Sequence, residues 1–304
     1  MLFCNGFLHR MQIWAYGNFE VQRGNKMFFH VKELQYEAKV SQPDPIFAKQ
    51  LQEVLGGQWG EISVMMQYLF QGMNVRGGNK KYRDLLMDIG TEEIAHVEIL
   101  ATLIARLLDN TSLEQQESAY QSDPAIAAIM GGMNPQHAIV SGLGAMPADS
   151  VGNRWTADYI ISSGNLLADF RANLTAESQG RLQVARLYEL TDDPCVKDTL
   201  SFLLARDTAH QNQWIQAIRE IESKSGDVVV PTTFPRSKEK QAVAYDFYNT
   251  SRGEADANGP WAQGIAPDGR GQFRYISNPG PYGGPAKLLP APEDVYDTPP
   301  TKKY

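Results

Sequence analysis

Cysteine is almost absent from this chain of 304 residues, with Cys4 and Cys195 the only two. That excludes a disulfide-stapled scaffold and makes a reducing cytoplasm the expected compartment. No stretch approaches the roughly 18 consecutive apolar residues that a membrane-spanning helix needs. Basic residues are in deficit, 28 against 35 acidic, for a formal net charge of -7. A nucleic-acid-binding surface is normally basic, so that class is not expected. Histidine is scarce too, at five residues. Whatever chemistry imidazole performs here must use very few positions.

The first 26 residues mix aromatics, glycine and arginine without the basic start and continuous apolar core of a secretory signal. Patterned sequence begins at Met27, and residues 1–26 read as an appendage. At the other end the texture changes at Gly226. Residues 226–304 hold 11 of the chain's 17 prolines and nine glycines. Such a composition predicts an extended tail with no packed domain of its own. Its interspersed aromatics suggest that it lies on the rest of the protein or on a neighbouring subunit.

Between these ends, apolar residues recur at spacings of three and four in four stretches, each the mark of an amphipathic helix. Helix A is expected over about 45–72, B over 81–109, C over 163–190 and D over 193–223. Asn74-Val-Arg-Gly-Gly-Asn79 breaks A from B, and Thr191-Asp-Asp-Pro194 breaks C from D. About fifty residues of looser texture connect B to C. Two helical hairpins joined by a long crossover make an all-α, ferritin-like four-helix bundle.

Polar groups interrupt every apolar stripe. Glu61 lies on A with Val54, Met65 and Tyr68. Glu93 and His96 replace two core positions of B. Glu177 and Arg181 fall on C, and Asp207 and His210 on D. Each signal alone is weak. Together they are not, because a buried ionised carboxylate is costly unless it is paired or metal-bound.

Depth gives an independent test. Glu61 and Glu93 are 32 residues apart, centred on Gly77; Glu177 and His210 are 33 apart, centred on the Asp193-Pro194 turn. At about 1.5 Å per residue both pairs sit roughly 24 Å from their turns, so all four helices bring polar groups to one layer. The outline Glu, Glu-x-x-His, Glu, Asp-x-x-His is that of a carboxylate-bridged dimetal site. Oxygen and imidazole donors without thiolate suit manganese or iron. His9, His30 and His137 lack such company and read as structural or surface residues.

The stretches LLGGQWGEISVMMQYLFQG around Glu61, TEEIAH at 91–96, SGNLLADFRANLTAESQGRLQVARLYELTDDP at 163–194 and LLARDTAH at 203–210 resemble the manganese catalases. The resemblance runs in order from about Met27 to Ser223. It implies two manganese ions per subunit and hydrogen peroxide as substrate, disproportionated to water and dioxygen. It also implies a homo-hexamer. Glu93 would bridge the ions, with Glu61 and His96 terminal ligands of one and Glu177 and His210 of the other. Tyr68 matches an outer tyrosine. Asp207 stands where dimetal oxidases of this bundle class carry a ligating glutamate. It reads as an outer acid, paired with Arg181 or orienting His210. A di-iron ferroxidase or oxidase and a non-catalytic ferritin-like coat protein are the alternatives.

Overall fold

The computed structural model describes residues 30–122, 139–142 and 144–290. Residues 1–26, His9, Cys4 and His137 lie outside that set. The chain divides into two compact units, residues 1–226 and 227–304.

Among the described residues, six long helices frame the first unit. They are α1 (Pro45–Gly56), α2 (Glu61–Asn74), α3 (Lys80–Leu107), α4 (Leu113–Ser122), α5 (Leu166–Leu190) and α6 (Pro194–Ser225). The hairpins α2–α3 and α5–α6 have the most extensive packing, and α1 lies on α3. Gly77, at φ +70°, turns the first hairpin in the left-handed conformation that glycine adopts without strain. Asp193 turns the second: its carboxylate caps α6 by accepting from the Cys195 and Val196 amides, and Pro194 occupies the first helical position.

A single helix A over 45–72 is corrected here: it is two helices. Gly57 (ψ 176°) and Gly60 (ψ 169°) are extended rather than helical. The Ser63 hydroxyl donates to the Gly57 carbonyl (3.0 Å), satisfying an acceptor that the broken ladder leaves over. The consequence is positional. Glu61 becomes the first residue of α2, and Trp59 is left on the connecting turn.

The core joins Leu51, Val54 and Leu55 of α1 to Ile99, Leu100, Leu103, Ile104 and Leu107 of α3, with Val184 and Leu187 from α5 and Val196, Leu200 and Leu203 from α6. It fills the half of the bundle on the far side of the polar layer from Gly77. The described part of the crossover is stitched to α1 and α2 by buried side chains. Gln52 donates to the carbonyls of Met146 and Ala148, and Trp155 donates to Ser63 (2.9 Å). No helix among the described residues is long and apolar enough to cross a membrane.

The second unit carries structure that its proline and glycine content hid. Strands β1 (Asp246–Tyr248), β2 (Gly264–Ile265) and β3 (Gln272–Ile276) form a small sheet in the order β1-β3-β2. β1 runs parallel to β3 and β2 antiparallel to it. Arg236 pins the surrounding loops, donating to Asp227 (2.9 Å) and Asp268 (2.7 Å). The expectation of a segment without packing of its own is corrected to this extent.

Asp193 ties three elements together, since the Ser41 amide (2.7 Å) and hydroxyl (2.8 Å) also donate to it. Burial works against its charge, but these donors and the two helix amides hold its carboxyl below the ordinary value of 3.8. Its contribution to stability is therefore complete above that value and is lost as pH falls through the lowered native one. Asp193→Ala is expected to cost about 1–2 kcal/mol at neutral pH, read from chemical unfolding midpoints, with the difference from the parent shrinking in acid.

Candidate metal centre

Four helices converge on one polar layer inside the apolar bundle. Glu61 comes from the first turn of α2, Glu93 and His96 from the middle of α3, Glu177 from α5 and His210 from α6. All five are buried; His96 and His210 are fully so and Glu93 is 1% exposed. Two overlapping clusters result, Glu61–Glu93–His96 and Glu93–Glu177–His210, in each of which one donor atom per residue lies within 4.8 Å of the others. Glu93 belongs to both.

The geometry is symmetric about Glu93. One of its oxygens approaches His96 Nδ1 at 2.6 Å and the other His210 Nδ1 at 2.8 Å. Glu61 stands 3.7 Å from His96 Nδ1, and Glu177 3.5 Å from His210 Nδ1. These approaches are not hydrogen bonds in direction. Both Glu93 oxygens, His96 Nδ1 and Nε2 and His210 Nδ1 are buried without any hydrogen-bond partner. Buried polar atoms are very rarely left so. Lone pairs that converge on a common point, unpaired and dry, fit a cation on each side of Glu93.

Burial is the largest influence on every carboxyl here. It lifts Glu61 to about 8, with the neighbouring Glu93 charge adding to the effect, and it raises Glu177 as well. Burial would lift Glu93 too, but the two imidazoles overcome it and hold Glu93 well below the usual carboxylate range. Burial would lower the histidines, yet the surrounding carboxylates push His210 up to about 12 and His96 well above its ordinary value. Without cations, then, the cluster holds protons that cations would displace.

A second layer of contacts fixes the first. Tyr68 donates its hydroxyl to Glu177 (2.7 Å) and is fully buried, its ring 5.0 Å from that of Trp214. Glu92 lies on the other side of the histidines. Its Oε2 is 3.1 Å from His210 Nε2, its Oε1 is 3.7 Å from His96 Nε2, and Arg206 grips both oxygens at 2.6 and 3.1 Å. Sequence reasoning passed over Glu92 and Arg206. Their signal was spacing: each stands four residues before a histidine, one helical turn away.

Buried amides fix α5 against α2. Gln67 donates to Asn173 (2.8 Å), Asn173 donates to Gln71 (2.7 Å), and Gln71 donates to the Ile161 carbonyl (2.7 Å). The Ile161 amide closes the ring on Gln67 (2.9 Å). Asn173 is one turn before Glu177, so the ring sets the height at which that carboxylate enters the layer.

Two sequence-stripe residues behave differently from the rest. Asp207 is buried and its carboxyl is raised well above its ordinary value, by burial first and then by the charges of Glu61 and Glu177. It lines a small cavity with Glu61 and Glu177, and neither a hydrogen bond nor an ion pair joins it to Arg181 or His210. Arg181 is not brought to the site. It is exposed and donates to the Thr208 hydroxyl (3.2 Å). The buried line of α5 passes through Asn173, Ala176, Glu177 and Val184, which turns Arg181 toward solvent. His30 also lies apart, exposed and 2.9 Å from Glu98.

A family model described as manganese containing catalase matches residues 27–303. The Bacillus subtilis (strain 168) protein YjqC is 66% identical over 278 residues, spanning 91% of this chain and all of its own length. A manganese catalase of the same organism is 60% identical over 277 residues, with 91% of this chain and all of that protein covered. Among solved structures, KatB, a manganese catalase from Anabaena, matches with a TM-score of 0.65 at 31% identity, covering 83% of this chain and 100% of that one.

Glu92→Gln keeps the shape of the clamp and removes the charge that Arg206 and the histidines share. Retained manganese after dialysis against a chelator should fall as for a roughly 10–100-fold loss of affinity, with helix content unchanged. Undiminished retention would show that the histidines need no such support.

Proposed function

The chain belongs to the manganese-containing catalase family, and from that premise we infer how its own residues divide the work of turning two molecules of hydrogen peroxide into two of water and one of dioxygen. The observation that carries this division is the shared carboxylate of Glu93, buried between His96 and His210, whose Nδ1 atoms have no hydrogen-bond partner.

Glu93, common to both donor clusters, would serve both metal positions. Glu61 and His96 complete one, and Glu177 and His210 the other. The three carboxylates offer three negative charges and the two imidazoles none, a donor set for two hard or borderline divalent ions. A bound manganese pair would supply two-electron exchange with peroxide, one electron from each ion as it moves between the two-valent and three-valent states.

The remaining residues orient and protect. Glu92 accepts from His210 Nε2, which leaves the Nδ1 lone pair directed inward, and Arg206 keeps Glu92 charged. Tyr68 holds Glu177 through its hydroxyl and, with Phe170 and Trp214, closes the layer toward the Gly77 turn with aromatic rings. Asp207 presents a carboxyl to the cavity between Glu61 and Glu177, the position from which protons can pass to and from peroxide oxygens. Arg181 has no part in this division.

We place the protein in the cytoplasm, which two cysteines and a buried, unpaired Cys195 support. We also propose a homo-hexamer in which the C-terminal segment meets a neighbouring subunit. Leu288 and Leu289, 88% and 91% exposed, are the side chains such a contact would cover.

Purified protein loaded with manganese should evolve oxygen from hydrogen peroxide in proportion to its manganese content and not to iron, and cyanide at levels that silence haem catalases should leave the rate unchanged. Activity that follows iron would overturn the assignment. Asp207→Ala should lower turnover by about 100-fold or more while manganese content stays that of the parent. Full turnover would remove Asp207 from the proton path. Deleting the residues after Ser223 should lower the number of subunits per particle in solution, and an assembly of unchanged stoichiometry would reject the hexamer contact.

A further inference from the structure

The interruption between α1 and α2 has no role in holding ligands, yet it stands against the metal layer. Residues on both sides of it line a cavity with Glu61, Glu177 and Asp207 at one end and the half-exposed Trp59 and Gly180 at the other. Val54, Val64, Ala176 and Val184 form its apolar walls. The space open to the centre of a water-sized molecule is about 10 Å³. That is close to the lower bound of about 10–15 Å³ for holding one water.

Three features make this a fitted passage. Val54, Val64, Ala176 and Val184 are all buried, so they bring no competing polar partner to a small polar guest. The carboxyls at the inner end belong to the two separate metal positions and to Asp207, so the cavity reaches the reacting centre. At the outer end, a Cβ added to Gly180 would stand 3.0 Å from the Trp59 carbonyl oxygen. α5 therefore comes closer to the α1–α2 turn than a residue with a side chain would comfortably sit. A continuous helix through residues 57–60 would put no turn at that place.

We propose that the α1–α2 turn and the facing side of α5 form the entry neck for peroxide, with Trp59, Ala176, Gly180 and Val184 setting the size of molecule that reaches the metal pair. The reading rests on the catalase assignment of the site. It adds that hydrogen peroxide is selected by exclusion, since the space between the walls is close to that of a single water. A single methylene in an apolar pocket is worth roughly 10–200-fold in discrimination, so an alkyl hydroperoxide should be rejected by at least that much.

The test uses the manganese-loaded full chain, with all rates expressed per bound manganese pair. Ala176→Val and Gly180→Ala narrow the neck; Val184→Ala and Trp59→Ala widen it. Narrowing should lower kcat/KM for hydrogen peroxide by about tenfold or more, with a smaller fall in kcat. Association of azide, followed in the visible spectrum of the oxidised metal pair, should slow in parallel. Widening should raise the rate with methyl hydroperoxide relative to hydrogen peroxide by about tenfold. Should a narrowed variant fail to fold, the two widened ones decide the matter alone. Azide association and peroxide preference within about twofold of the parent in every folded variant would overturn the neck. If the parent protein evolved no oxygen at all while azide entry still tracked neck size, the catalase assignment would fail and the neck would stand.

Discussion

One carboxylate held dry between two imidazoles is the constraint around which the bundle is arranged. Glu93 can be ionised at 1% exposure only because His96 and His210 face its two oxygens. On the opposite side Glu92 holds the outer edge of His210 by a hydrogen bond and sets its charge 3.7 Å from that of His96. Charge buried in a low dielectric is either compensated completely or ruinous. Four helices are needed to compensate it here, since no one helix can surround a point. The two hairpins must also be of matched reach, or Glu61 and Glu177 would miss the layer.

That requirement explains features with no chemistry of their own. The amide ring of Gln67, Asn173, Gln71 and Ile161 is a height gauge between α2 and α5. Tyr68 links the same two helices directly at Glu177. Apolar packing by leucine and isoleucine tolerates small slides; a closed set of directional bonds does not. The polar layer is thus flanked on one side by the aliphatic core and on the other by directional bonds and aromatic rings. The site is rigid because its surroundings cannot shift separately.

Much of this was legible in the sequence, for a physical reason. On α3 and α6 the ligands occupy core positions of long, uninterrupted stripes, so period alone places Glu93, His96 and His210 inward. The midpoints at Gly77 and Asp193-Pro194 fix depth, because rise per residue is constant in a helix. The misses have causes of the same kind. Gly57 and Gly60 sit inside an apolar pattern that continues through them, so the break between α1 and α2 leaves no gap in periodicity. Arg181 is four residues beyond Glu177, but the buried line of α5 runs through Ala176 and Val184 and leaves it on the solvent side. Glu92 adjoins a ligand in sequence and reads as the solvent-facing neighbour, though it faces the second imidazole across the bundle. The small sheet in the second unit is built from strands of two to five residues, too short for alternation to show.

The proposed sharing of a metal pair by Glu93 is open to direct observation. Diffraction from crystals of the manganese-loaded protein, recorded on both sides of the manganese absorption edge, tests it most directly. Two anomalous peaks per subunit are predicted, one enclosed by Glu61, Glu93 and His96 and the other by Glu93, Glu177 and His210. A single peak, or peaks away from Glu93, would show that Glu93 is not shared by a metal pair.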